Sequence, residues 1–109
     1  MSNELWVLEA EMNREIKKSM KEVRNEIDQI DKDLVCLLAK RQKCIENAAL
    51  VKKERNLIID KDRIEEVIVN IKEHSSLSGL STEISEPLWR KLIELSIEHE
   101  FKEFEKKKN

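Results

Sequence analysis

Residues 20–52, MKEVRNEIDQIDKDLVCLLAKRQKCIENAALVK, contain neither glycine nor proline, and their apolar members fall in alternating steps of three and four: Met20, Val23, Ile27, Ile30, Leu34, Leu37, Leu38, Ile45, Ala48 and Val51. That spacing predicts one amphipathic helix. Continued to Arg55 it is ~54 Å long at ~1.5 Å per residue, whereas a compact chain of 109 residues is only about 35 Å across. A single globule cannot cover such a stripe. A second chain has to, so the expected assembly is an intertwined or coiled-coil-like homodimer.

Upstream, Leu5, Leu8, Met12 and Ile16 keep helical spacing, and residues 1–17 either prolong the long helix or fold back as a separate turn. Downstream, the polar Lys53-Glu54-Arg55-Asn56 breaks the stripe and Leu57-Ile58-Ile59 makes a short apolar connector. Asp60 or Asp62 caps a second helix, Asp62 with Glu65 resembling a capping pair. Ile64, Val67, Ile68 and Ile71 form its inner face, and it ends at the chain's one glycine, Gly79. Ser81 or Ser85 caps a third helix whose buried side is Ile84, Leu88, Trp89, Leu92, Ile93 and Leu95. Pro87 fits a first turn begun at Ser85 and kinks a helix begun at Ser81. Lys102 to Asn109, with four lysines and two glutamates around Phe104, reads as a solvated, frayed end. The expected fold is therefore all-α, three helices with a very long first one. A domain over 18–104 is preceded by a helical extension, 1–17, and followed by a charged tail, 105–109.

One glycine and one proline are too few for the turns of an all-β or α/β chain. With 21 Lys and Arg against 23 Asp and Glu the net charge is −2, which argues against a nucleic-acid partner, since phosphate binding needs a basic excess. No apolar run approaches the ~20 residues of a membrane span, and Glu9 interrupts the N-terminal stretch before a signal-peptide core can form. A cytoplasmic protein with no membrane partner is expected. Cys36 and Cys44, eight residues apart on one helix, are separated by ~12 Å and cannot bridge. His74 and His99 lie apart from them in sequence, so no metal site is expected.

The apolar stripe also carries residues that do not belong on it. Followed by threes and fours it reaches Arg41 and, after Ile45 and Ala48, Lys52; at about 100° per residue these two cations share one face to within roughly 20°. Either both extend their stems over the core with the charges in water, or they line a pocket for an anion. The third helix repeats the pattern, because Trp89, Ile93, Ser96 and Glu100 share a face. There Ser96 either bonds back to a carbonyl or points inward, and Glu100 lies either in solvent or in the same pocket. Two cations facing a hydroxyl and a carboxyl suit a small dicarboxylate. No hydroxyl, thiol or imidazole stands out as a nucleophile.

These residues resemble a known family, the all-helical chorismate mutases, together with their relatives the isochorismate pyruvate lyases. The resemblance runs from about Val23 to Glu100. It begins at Arg24-Asn25-Glu26-Ile27-Asp28-Gln29-Ile30-Asp31, continues through Leu37-Leu38, Arg41, Lys52, Asp60-x-x-Arg63 and Gly79-Leu80, and closes on Leu88-Trp89-Arg90-Lys91-Leu92-Ile93, Ser96 and Glu100. It implies a dimer of three-helix protomers with two active sites for chorismate or isochorismate, needing no cofactor and no metal, in aromatic amino-acid biosynthesis. Arg24 is then donated to the partner's site and binds one substrate carboxylate. The seventeen steps to Arg41 leave the two about 100° apart around the helix, which agrees with that division. By the same resemblance Arg41 clamps the other carboxylate, and Lys52 contacts a carboxylate and the ether oxygen. Asp60 and Arg63 line the ring, Ser96 assists a carboxylate, and Glu100 faces the ether oxygen. Lys52, Glu100 and Arg41 are the expected catalytic residues.

Two positions depart from the family pattern. The mutases commonly place a glutamate directly after the arginine matched by Arg63, where it binds the ring hydroxyl; this chain has Ile64, an aliphatic residue of the kind the pyruvate lyases tolerate. Many members carry glutamine where this chain has Glu100. The expected activity is that of a chorismate mutase, with an isochorismate pyruvate lyase, forming salicylate and pyruvate, as the alternative. An inactive helical interaction module is a third reading, because fold does not imply function.

Overall fold

The computed structural model describes residues 19–107 and, ahead of them, Glu4. The expected extension over 1–17, Glu4 apart, and the last two residues of the charged tail lie outside the described residues. The described residues form three α-helices and one 3₁₀ turn, with no strand: α1 (Met20–Val51), the turn Arg55–Leu57, α2 (Lys61–Ser78) and α3 (Thr82–Lys106). The chain divides into two compact units, residues 1–39 and residues 40–109. Among the described residues no helix is long and apolar enough to cross a membrane.

In the first unit, Ser19 starts α1, its hydroxyl accepting the Glu22 N–H at 3.2 Å. The apolar stripe found in the sequence is helical as expected, and it is bare: Ile27, Ile30, Leu34, Leu37 and Leu38 are 43–59% exposed. Cys36, and Cys44 in the second unit, are free thiols on the surface.

The second unit holds the rest of α1, the 3₁₀ turn, α2 and α3. Its core is Ala49 of α1, Ile58 after the turn and Phe104 of α3, with Ile97 and Phe101 packed against them. Phe104 is 2% exposed, so the residues around it are not a frayed end. Helix α3 runs through Lys106, because an aromatic ring that reaches the core is worth more buried than the entropy of a loose terminus.

Asp60, not Asp62, caps α2: its carboxylate accepts the Arg63 N–H at 3.0 Å. The helix ends at Gly79, whose φ of +79° is a left-handed conformation that a side chain would strain. Ser81 caps α3, so Pro87 lies inside the helix. Ser85, the alternative cap, is fully buried instead, and its hydroxyl is bonded to that of Ser75 at 2.7 Å. This pair joins α2 to α3 by a buried hydrogen bond. Further out, Arg90 meets Glu65 at 3.2 Å and Lys72 meets Glu86 at 3.1 Å across the same two helices.

The buried side of α3 also differs from expectation. Ile93 is buried and Trp89 and Leu92 are half-buried, but Ile84, Leu88 and Leu95 are 50–57% exposed. At about 100° per residue those three cluster opposite the face that carries Ile93, Glu100 and Phe104. The helix therefore has two apolar sides, and spacing alone could not say which one packs within the chain.

Candidate active site

The inward face of α3 and the last turns of α1 in the second unit bring together the residues that broke the apolar pattern. Arg41 Nη1 donates to Ser96 Oγ at 2.7 Å, and Lys52 Nζ donates to Glu100 Oε2 at 2.7 Å. The Ser96 hydroxyl also donates to the Leu92 carbonyl at 2.7 Å. Bonding back along the helix thus fixes its proton and leaves a lone pair for the guanidinium. Glu100 is 4% exposed, which excludes the reading that leaves it in solvent. Arg41 and Lys52 are half-buried and aimed at α3, not spread over the surface.

All four line one cavity of about 330 Å³, and Asp60, Arg63 and Ile64 line it too. That volume lies within the range of small-molecule sites, ~300–1,000 Å³. Asp60 reaches it from the cap of α2. Arg63, one turn in, has its guanidinium against Glu66 at 2.6 Å. Seven of the eight residues expected in the site therefore share the cavity wall. The eighth, Arg24, belongs to the other unit, where it is exposed on α1.

The remaining walls are apolar, with Ile45, Ala48, Leu57, Ile58, Val67, Ile93 and Ile97 alongside Ile64. Leu57 and Ile58 came from what the sequence offered only as a connector. Ile97 follows Ile93 by four, a spacing that places both on one side of α3. Ile64, Ile93 and Ile97 also line a second, more open groove on their other side, with Ile59 and Phe101.

The electrostatics favour an anion. Burial first, and then the nearby charge of Arg63, push the pKa of the Arg41 guanidinium below its ordinary value. Both causes work against a cation without a counter-charge. Among the described residues the partner of Arg41 is a neutral hydroxyl. A carboxylate placed between Arg41 and Arg63 relieves both effects, and the planar guanidinium can bond it in two places.

A separate cluster lies nearby on the same two helices. Glu46 on α1 and His99 and Glu103 on α3 bring a ring nitrogen and two carboxylate oxygens within 4.8 Å of one another, a grouping that cysteine and histidine spacing alone does not reveal because two of its three members are glutamates. Its atoms are engaged: His99 Nε2 meets Glu46 Oε2 at 2.7 Å, Gln42 donates to that oxygen at 3.1 Å, and Lys106 donates to Glu103 at 2.8 Å. The hydrogen bond from His99, followed by that from Gln42, holds the Glu46 carboxyl below its ordinary 4.5.

The cavity is thus walled by aliphatic side chains from three helices and the 3₁₀ turn region, and carries three cations, Arg41, Lys52 and Arg63, with two carboxylates, Asp60 and Glu100. Residues 23–101 match the family model described as chorismate mutase type II, and the chain belongs to that family. No curated protein matches it.

Proposed function

We propose that the protein is a chorismate mutase, converting chorismate to prephenate. The observation that carries this reading is the half-buried Arg41, bonded to a hydroxyl and crowded by Arg63, in one cavity with Lys52. The reaction is unimolecular: the ether C–O bond breaks while a C–C bond forms, with no proton transferred and no covalent link to the protein. The site's work is to hold both substrate carboxylates so that the reacting carbons approach, and to oppose the negative charge that grows on the ether oxygen. Arg41, together with Arg24 from a second copy, suits the first task. Lys52 suits the second, as a compact cation. Glu100 accepts from its ammonium at 2.7 Å and faces the same oxygen.

A second reading is favoured by Ile64. Its aliphatic side chain lines the cavity and offers a ring hydroxyl no hydrogen bond, which suits an isochorismate pyruvate lyase using the same clamp. Ultraviolet assay of purified protein with chorismate and with isochorismate separates the two. Prephenate formation supports the mutase, and release of salicylate and pyruvate overturns it in favour of the lyase.

The active form in this reading is a homodimer, supported by the bare stripe on α1, with Arg24 of one copy binding a carboxylate in the other's cavity. An Arg24→Ala chain and a Lys52→Ala chain, each strongly impaired alone, regain activity when mixed, since one of the two sites in each heterodimer is intact. No recovery after proven subunit exchange rules out a shared site.

A further inference from the structure

A helix leaves its last carbonyls without partners inside the helix, and α1 has no basic residue in its last turn to satisfy them. The Lys52 N–H takes one, the Ala48 carbonyl, at 2.9 Å. Two more, those of Ala49 and Leu50, are met from the far end of the chain. Lys107 Nζ donates to the carbonyls of Ala49 at 2.7 Å, Leu50 at 3.4 Å and Lys52 itself. An ammonium has three donors, and here each faces a backbone oxygen. The same ammonium stands 4.4 Å from the centre of the Phe104 ring, and Phe104 is packed in the core with Ala49 and Ile58.

Lys52 is the first residue past α1, a position from which a lysine commonly turns back on the carbonyls of its own helix. Its ammonium instead crosses to Glu100. We propose that Lys107 is a positioning residue for Lys52. By occupying the carbonyls of Ala49, Leu50 and Lys52 it fixes the backbone from which Lys52 projects and removes the acceptors that compete for its ammonium. The catalytic role of Lys52 in this inference rests on the proposed function, but its placement does not.

The test uses the full chain in five forms: wild type, Lys107→Met, Lys107→Arg, Lys52→Ala and the Lys52→Ala/Lys107→Met double variant. With whichever substrate the wild type turns over, Lys107→Met is expected to lose about tenfold in kcat with KM changed by less than about threefold. Lys107→Arg, which keeps charge and donors, recovers most of that loss. In the Lys52→Ala background the methionine costs nothing further, because it acts through Lys52. An unchanged kcat, or an equal loss with and without Lys52, overturns the inference.

A second measurement needs no turnover. In protein labelled at the lysine ammonium nitrogens, the Lys52 resonance of Lys107→Met should move to where it lies in Glu100→Gln; a resonance that stays at the wild-type position overturns the inference. If the wild type acts on neither substrate, the proposed function fails and this spectrum alone decides the placement. Should circular dichroism show Lys107→Met unfolded, Lys107→Gln is read in its place by the same criteria.

Discussion

Lys52 and Glu100 are 48 positions apart in the chain, yet their charged atoms lie 2.7 Å from each other across the cavity. In the proposed rearrangement both meet the ether oxygen, and an ionised carboxylate there repels the charge that develops while a neutral donor stabilises it. Glu100→Gln is therefore expected to keep turnover at neutral pH, whereas Lys52→Ala loses about 10²–10³ in kcat, the usual cost of one such donor. Steady-state kinetics of the two variants at pH 7 is the measurement, and a loss in Glu100→Gln as large as that in Lys52→Ala refutes the account.

Ile64 gives the means to tell the two reactions apart by substitution. If the protein is a mutase, Ile64→Glu should lower KM or raise kcat for chorismate; if it is a lyase, the same change should impair cleavage of isochorismate. Steady-state kinetics with both substrates is the measurement, and indifference to both shows that Ile64 does not face the ring.

The buried serine pair tests the packing of α2 on α3. Ser85 is fully buried with its hydroxyl on that of Ser75, so Ser75→Ala strands a polar group and should cost about 1–3 kcal/mol. Adding Ser85→Ala removes the stranded hydroxyl and should restore part of that loss. Urea unfolding of the two single variants and the double one reads the difference directly; a double variant weaker than Ser75→Ala refutes the account.

Acid should loosen the second unit through three carboxylates held below their ordinary 4.5: Glu46 by His99 and Gln42, Glu65 by Arg90, and Glu86 by Lys72 and Arg90. A depressed carboxyl adds stability above its unfolded pKa and loses it as pH falls through the lower folded value. The urea midpoint is thus expected to fall below about pH 4.5. Replacing Glu46, Glu65 and Glu86 together by glutamine should flatten that fall, and an equally steep decline in the triple variant counts against it. These pairs are on the surface, so raising the salt should weaken their effect.

Phe104→Ala is expected to destabilise the protein by about 3–5 kcal/mol, since it empties the centre of the core. Thermal unfolding followed by circular dichroism checks this. A loss under about 1 kcal/mol would show that the ring can be replaced by its neighbours.

Much of this was legible in the sequence, for a physical reason in each case. The three-four rhythm from Met20 to Val51 has no competing period, and Gly79 is the one residue able to end α2 in a left-handed turn. Arg41, Lys52, Ser96 and Glu100 announced themselves because a charge or hydroxyl on an apolar face requires a partner, and each found one on the opposite helix. What stayed hidden depends on contacts remote in sequence. Nothing local to Phe104 or Lys107 says that they fold onto Ala49, Leu50 and Lys52. Local chemistry also allowed Ser81 and Ser85 alike as caps; burial against Ser75 decided between them.

Ile64, Ile93 and Ile97 face the cavity on one side and the open groove on the other, so the partition between the two is a single layer of aliphatic side chains. It holds none of the cations. Shortening one of these isoleucines would merge the two spaces and leave the carboxylate grip intact. Tolerance for bulkier rings is therefore a property this scaffold can vary independently of its charge, and libraries at these three positions are the place to evolve it.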